Sequence, residues 1–247
     1  MSGMTRTRLL AGTAGCAVLT GAVLMLVALT AAPGSWLQGY VSEAGTAGQP
    51  FAVTYRWGLL LLALGVALLA AAFLAGSRGR TPPPVPAGAK PWRSPAVRSG
   101  LVVAVLLGPA ALMAGISGAV ACSDQCPLPP YEPTTVADVV HTGASIVGMM
   151  LLALAMIAAW LTDLRPALRR LSAVAAALIV PVGVALGLTM LLAGRSTLGA
   201  SLERIMLVTS VSWLIGISLL TVLRNSVKVE PWNSRTASRR WRHSSPS

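Results

Sequence analysis

Apolar residues fall in six blocks along the chain, near 9–32, 53–76, 99–121, 137–162, 171–194 and 204–223, with polar and charged residues gathered between them. Each block holds 20 or more residues. A hydrocarbon core about 30 Å thick needs about 20 helical residues at a rise of about 1.5 Å each. A helix also satisfies its own backbone hydrogen bonds, which an irregular segment in lipid cannot do. The pattern therefore predicts an all-α, polytopic integral membrane bundle of six transmembrane helices. The first block follows Arg6 and Arg8, as the core of a signal peptide would. Its 24 apolar positions exceed the about 7–15 residues of such a core, so it is read as a retained span. Cys16 closes a partial lipoprotein-like box, Thr13-Ala-Gly-Cys16, and is read instead as a small buried helix residue.

Composition sharpens the class. The chain is 55% hydrophobic and 11% charged, whereas soluble domains carry about 25% charged residues. Too few polar groups are present to cover a water-facing surface.

Charge adds orientation. Sixteen of the nineteen Lys and Arg residues lie in the N-terminus (1–8), the segment 77–98, the segment 163–170 and the tail 224–247. Cytoplasmic loops carry the excess of basic residues, so both termini are expected inside the cell. The net charge of +12 would suggest nucleic acid in a soluble protein. Here no nucleic-acid partner is expected, because no folded binding module accompanies the charge. The expected partners are membrane lipids, with anionic headgroups at the cytoplasmic loops and tail, each basic residue contributing about 1 kcal/mol. Segment 77–98, with "TPPPVPAGAKP" at its centre, reads as a basic linker leaning to polyproline II. The tail reads as disordered, with Trp232 and Trp241 as interfacial anchors.

Inside the spans, Gly183 and Gly187 on the fifth and Gly108, Gly115 and Gly118 on the third are expected to mark close helix contacts. Pro109 and Pro181 are expected to kink their helices. The hydroxyls of Thr20, Ser117, Ser172, Thr189 and Ser212 are expected to bond helical carbonyls or neighbours. No ionisable residue lies near the middle of a span, which weighs against ion-coupled transport.

The candidate chemistry gathers at the extracytoplasmic ends, in Ser42, Glu43, Arg56, Asp138, His141, Glu203 and Arg204. Arg56, at a helix N-terminus, opposes the dipole and is expected to answer Glu43, Asp138 or a lipid phosphate. Glu43, Arg56, Asp138 and His141 are the candidate ligand-binding residues. Thr135-Val-Ala-Asp138 is a partial capping box. His141 either bonds a neighbouring loop or serves as a general base oriented by Asp138 or Glu43, with Ser42 a weak candidate nucleophile. Cys122 and Cys126, in an oxidising space, are expected to form a disulfide. Zinc held by Cys122, Cys126, His141 and a carboxylate is the alternative, and unpaired thiols are a third. On the adopted reading no metal and no cofactor is expected.

"GYVSEAGTAGQPFAVTYRWG", followed by a span, two cysteines, "DVVH" and a further span, resembles the bacterial membrane family called domain of unknown function 998. The likeness runs from the first helix to the sixth and rests on Ser42, Glu43, Pro50, Asp138 and His141. More distantly the chain is similar to the DRAM-like six-helix membrane proteins. The resemblance implies a six-span fold in a bacterial plasma membrane and brings no settled activity. Ala, Gly and Arg usage points to a bacterium of high GC content. Three functions follow as expectations: a non-enzymatic protein that senses or holds a lipid or small amphiphile at an outer-face pocket, a transporter of a small or lipid-like solute, or a membrane-embedded hydrolase or transferase using His141. Oligomeric state is not read from the sequence.

Overall fold

A computed structural model describes residues 3–31, 39–78, 95–127, 131–162 and 164–223. Among these the protein is all-helical. Six long helices are present: α1 (Gly3–Ala31), α2 (Ala52–Arg78), α3 (Pro95–Ala119), α4 (Val136–Leu161), α5 (Pro166–Ala193) and α6 (Thr197–Val222). All six are long and apolar enough to cross a membrane. This is a multi-pass membrane protein. A short 3-10 helix, Val41–Gly45, follows α1. Most of the basic linker (79–94) and the tail (224–247), with Trp232, Trp241 and His243, lie outside the described residues.

Each helix packs on its neighbour in sequence, and α6 returns to pack on α1. The six form a closed ring of alternating direction. The start of α1 and the end of α6 thus lie at one face, and residues 39–51, 120–127, 131–135 and 194–196 lie at the other, here called the distal end. Leu69, Leu107, Met156, Ile179, Trp213 and Leu214 are fully buried within the ring. Many Leu and Val side chains face outward, among them Leu19, Leu112, Val184 and Leu192, as a surface bathed in lipid requires.

The helices start earlier than the apolar blocks, for local reasons. Alpha-1 takes in Arg6 and Arg8, whose long stems can lie along the helix while their charges reach the interface. Pro166 begins α5 at the first helical position, where its missing N–H costs nothing. Ser196 caps α6, its Oγ accepting from Gly199 N at 3.1 Å. Alpha-6 therefore begins seven residues before the expected 204, and Glu203 and Arg204 sit within its second turn rather than at its start.

The glycine spacing placed the close contacts only in part: a Cβ at Gly118 would lie 3.3 Å from Leu60 on α2, and one at Gly183 would lie 3.4 Å from Met206 on α6. A Cβ at Gly108 or Gly187 would meet nothing within 4 Å, and one at Gly115 would just touch Ala63. The tight seam instead joins α1 to α2. A Cβ at Gly21 would lie 2.5 Å from Gly58 O, one at Gly58 would lie 2.7 Å from Gly21 O, and one at Gly65 would lie 2.9 Å from Ala14 O. Backbones this close gain the dispersion contacts that hold helices together in lipid, where water offers no drive. Cys16, on α1, is exposed rather than buried. Pro109 and Pro181 do lie inside α3 and α5.

The hydroxyls behave more nearly as expected. Thr189 Oγ1 donates to Ala185 O at 2.8 Å, and Ser117 meets Ser145 at 2.8 Å. Ser172, fully buried on α5, accepts from Trp213 Nε1 on α6 at 3.0 Å. Thr20 and Ser212 face outward.

Gly58→Ala should push α1 from α2 and cost about 1–3 kcal/mol, lowering the thermal unfolding temperature in detergent. Gly108→Ala, with open space at its Cβ, should be neutral or stabilise by up to about 1 kcal/mol. Equal effects at the two positions would show that the α1–α2 seam does not form.

Candidate functional site

Alpha-3 ends at the distal face, and a helix end leaves its last four carbonyls without intrahelical donors. Side chains of the two flanking helices supply them. Arg56, in the first turns of α2, donates from Nε to Gly118 O at 3.1 Å and from Nη2 to Ala119 O at 2.5 Å. His141, on α4, sets Nδ1 2.8 Å from Ser117 O and 2.9 Å from Val120 O. Carbonyl oxygens only accept, so Nδ1 carries a proton, and in the neutral ring Nε2 then carries the lone pair. Nε2 is buried without a hydrogen-bond partner. Ser145 donates to His141 O at 2.9 Å. Its single hydrogen is then engaged, which makes Ser117 the donor in the Ser117–Ser145 bond.

These contacts correct the expectation for Arg56. It pairs with neither Glu43 nor Asp138, because α2 runs antiparallel to α3 and the start of one lies beside the end of the other. The partial negative charge of the α3 C-terminus does what a carboxylate was expected to do.

Asp138, 1% exposed, completes the capping box with Thr135. Its Oδ2 accepts from Thr135 N and Thr135 Oγ1, both at 2.7 Å. Its Oδ1 accepts from Ser123 N at 2.6 Å and Ser123 Oγ at 3.0 Å. The carboxylate is fully occupied in tying the 122–126 turn to the start of α4. Asp138 and His141 share a helix face, yet each turns to different groups, and no hydrogen bond joins them.

Glu43 finds Arg195, a residue sequence reasoning did not single out. The ion pair is 2.6 Å long and four-fifths buried. Glu43 Oε1 also accepts from Tyr40 N at 3.0 Å. Arg195 reaches Gln125 Oε1 at 3.0 Å and Glu132 at 3.9 Å, so it joins the three distal segments. Glu203, grouped with the distal chemistry in the sequence but given no role there, accepts from Val41 N at 2.5 Å and fixes the 3-10 helix onto α6. A carboxylate beyond a Ser-initiated turn, as in "STLGASLE", is the signal that could have found it. Tyr40 packs on Gly199, where a Cβ would clash with the phenol oxygen. Burial pushes the Tyr40 phenol above its ordinary range, with contacts to Ser196 pulling it back.

Cys122 and Cys126 are a close pair, with Cα atoms 5.2 Å apart, inside the span a disulfide bridges. They are 2% and 7% exposed. Gln125 and Cys126 take positive φ values of 63° and 46°, a conformation that costs a non-glycine residue about 1 kcal/mol or more. Such a turn persists where its surroundings hold it. Cys126 Sγ lies 3.9 Å from Ser42 O, so Ser42 meets the turn by its backbone. Both sulfurs and one ring nitrogen of His141 lie within 4.8 Å of one another.

Arg56→Ala should leave two α3 carbonyls without donors and cost about 1–3 kcal/mol, read as a lower unfolding temperature. Arg56→Lys should recover only part, since one ammonium replaces a fork of donors. Asp138→Ala should cost more than Thr135→Ala, which removes a cap of about 0.5–2 kcal/mol, because it also releases Ser123. If the two variants unfold alike, the Ser123 contacts contribute nothing. No family model, curated protein or solved structure matches the chain.

Proposed function

We propose that this chain is a non-enzymatic multi-pass protein of a bacterial plasma membrane, both termini cytoplasmic, whose distal end senses the thiol-redox state of the extracytoplasmic space. Cys122 and Cys126 are the sensing element and form a disulfide when oxidised. One observation carries the reading: the turn closed by the two cysteines touches the start of α4, the segment before α6 and the 3-10 helix. Its Ser123 holds the Asp138 carboxylate at the start of α4, its Gln125 accepts from Arg195, and its Cys126 lies on Ser42. Opening the S–S bond would loosen Ser123 from Asp138 and Gln125 from Arg195, and so change how α4 and the segment before α6 are tied down.

The other expectations have weaker support. An amphiphile pocket centred on Arg56 has to compete with the α3 carbonyls for the guanidinium. Transport draws only on Pro109 and Pro181. Hydrolysis or transfer by His141 lacks the carboxylate contact that would orient a general base, since Asp138 and Glu43 are engaged elsewhere. The resemblance to domain of unknown function 998 adds no activity to weigh.

The test is labelling of intact cells with a membrane-impermeant maleimide, on a Cys16→Ala background, with and without prior reductant. Two thiols per chain should label after reduction and none before. Labelling of untreated cells would mean the pair is not oxidised, and labelling only after permeabilisation would reverse the orientation.

A further inference from the structure

His141 has a ring nitrogen within 4.8 Å of two sulfurs and a buried Nε2 without a hydrogen-bond partner, and that combination has a chemistry of its own. We infer that Cys122, Cys126 and His141, once the cysteines are reduced, form a binding site for a thiophilic d10 metal cation, Zn2+ or Cu+. The inference rests on the reading of the cysteine turn as a redox-active pair. Ligand atoms of the three residues lie within 4.8 Å of one another. Two donors on one ion, at the usual bond lengths of about 2.0–2.3 Å, stand at most about 4.6 Å apart. Binding an ion therefore needs the reduced sulfurs to part from bonding distance to about 3.8 Å, the separation of two thiolates held at about 2.3 Å on a tetrahedral ion.

The imidazole is already arranged as a metal ligand requires. A ligating histidine donates its other N–H to a carbonyl or carboxylate, which fixes the tautomer and turns the free lone pair toward the ion. Here Ser117 O and Val120 O receive Nδ1–H, and Nε2 is the buried nitrogen without a partner. The donor set is two sulfurs and one nitrogen. Asp138 adds no fourth ligand, because both its oxygens hold Ser123 and Thr135. Thiolate and imidazole select Zn2+ and Cu+ over Mg2+, Ca2+ or Mn2+, which take oxygen ligands. Charge suits Zn2+, whose two positive charges cancel two buried thiolates. Donor number suits Cu+, which accepts three ligands, whereas Zn2+ would add a fourth donor such as water.

The steps balance. A dithiol reductant gives two electrons and two protons to the Cys122–Cys126 bond, which breaks to two thiols while the dithiol closes to its own disulfide. The cation then displaces the thiol protons to solvent as the metal–sulfur bonds form. In the reverse direction a small disulfide takes two electrons from the two thiolates: the Cys122–Cys126 bond forms, the oxidant's own S–S bond breaks to two thiols that take up two protons from solvent, and the ion is released.

The test uses the full chain in detergent, on a Cys16→Ala background. The protein is reduced anaerobically with a phosphine, freed of reductant, and titrated separately with Co2+ as a spectroscopic stand-in for Zn2+ and with chelator-buffered Cu+. One ion per chain should bind, with a sulfur-to-cobalt charge-transfer band in the first arm or transfer of Cu+ from the chelator in the second. Binding should protect both thiols from alkylation. Unreduced protein and the Cys122→Ser/Cys126→Ser double variant should take up none. His141→Ala also strips the α3 end of its donor, so the informative variant is His141→Asn. Its amide can still donate to the α3 carbonyls but brings no nitrogen lone pair. It should keep the unfolding temperature near that of the parent and lose more affinity than the about 10–100-fold typical of removing an outer-shell group. Reduced protein that binds neither ion, or a His141→Asn variant that binds as tightly as its parent, would overturn the site. An oxidised pair found in cells together with a reduced protein that takes no ion sinks the metal site and leaves the redox reading standing. Thiols free in untreated cells, together with ion binding by the purified protein, sink the disulfide and leave the metal site standing.

Discussion

A helix that stops at a membrane face must find donors for its last four carbonyls, and how α3 does so organises the distal end of this protein. The donors come from both sides, Arg56 on α2 and His141 on α4. Each bond crosses a helix–helix seam, so the end of α3 locks the register of its two neighbours. An arginine at the N-terminus of its own helix is electrostatically misplaced. Set against the C-terminus of an antiparallel neighbour it becomes favourable, because two helix ends of opposite sign meet there. The closed ring, in which each helix runs against the next, makes that meeting unavoidable.

From α3 the polar contacts spread outward and not downward. Below the distal end the ring is held by backbone approach along α1–α2, by Leu and Ile packing, and by isolated bonds such as Ser172 to Trp213. Packing of this kind fixes a shape and offers little for a ligand to titrate or exchange. At the distal end the carboxylates of Glu43, Asp138 and Glu203 each hold a backbone N–H, and Arg195 ties three segments together. Acidic residues that look like catalytic candidates in the sequence serve here as fasteners. Buried or part-buried carboxylates need such donors, since leaving one unpartnered costs several kcal/mol.

Six spans were legible in the sequence because twenty apolar residues in a row have few other uses. Their starts were less so. The first turns of α1, α5 and α6 mix charged, hydroxyl and small residues that an apolar count discards, although Pro166 and Ser196 are ordinary helix starters. The Thr135–Asp138 box was read correctly from four residues, since a cap is local. Pairings across the ring were not local and were missed. Glu43 was one of three candidate partners for Arg56, beside Asp138 and a lipid phosphate, yet the ring brings Arg195, from far along the chain, to Glu43. Likewise the glycine stripes on α3 and α5 were visible as spacing, but which glycine meets a backbone depends on helix register. Gly21, Gly58 and Gly65 carry no distinguishing motif.

The same bond that fixes α3 also decides what His141 is free to do. Nδ1–H is held by two carbonyls, and Asp138 is turned to Ser123 and Thr135, so it makes no hydrogen bond to the ring. Nε2 is left buried without a hydrogen-bond partner, and one ring nitrogen lies within 4.8 Å of both sulfurs. That leaves His141 without the carboxylate contact that orients a general base and, on the inference drawn above, with a nitrogen to offer a soft cation. The cap thus selects between the two chemistries that the sequence left open for this residue.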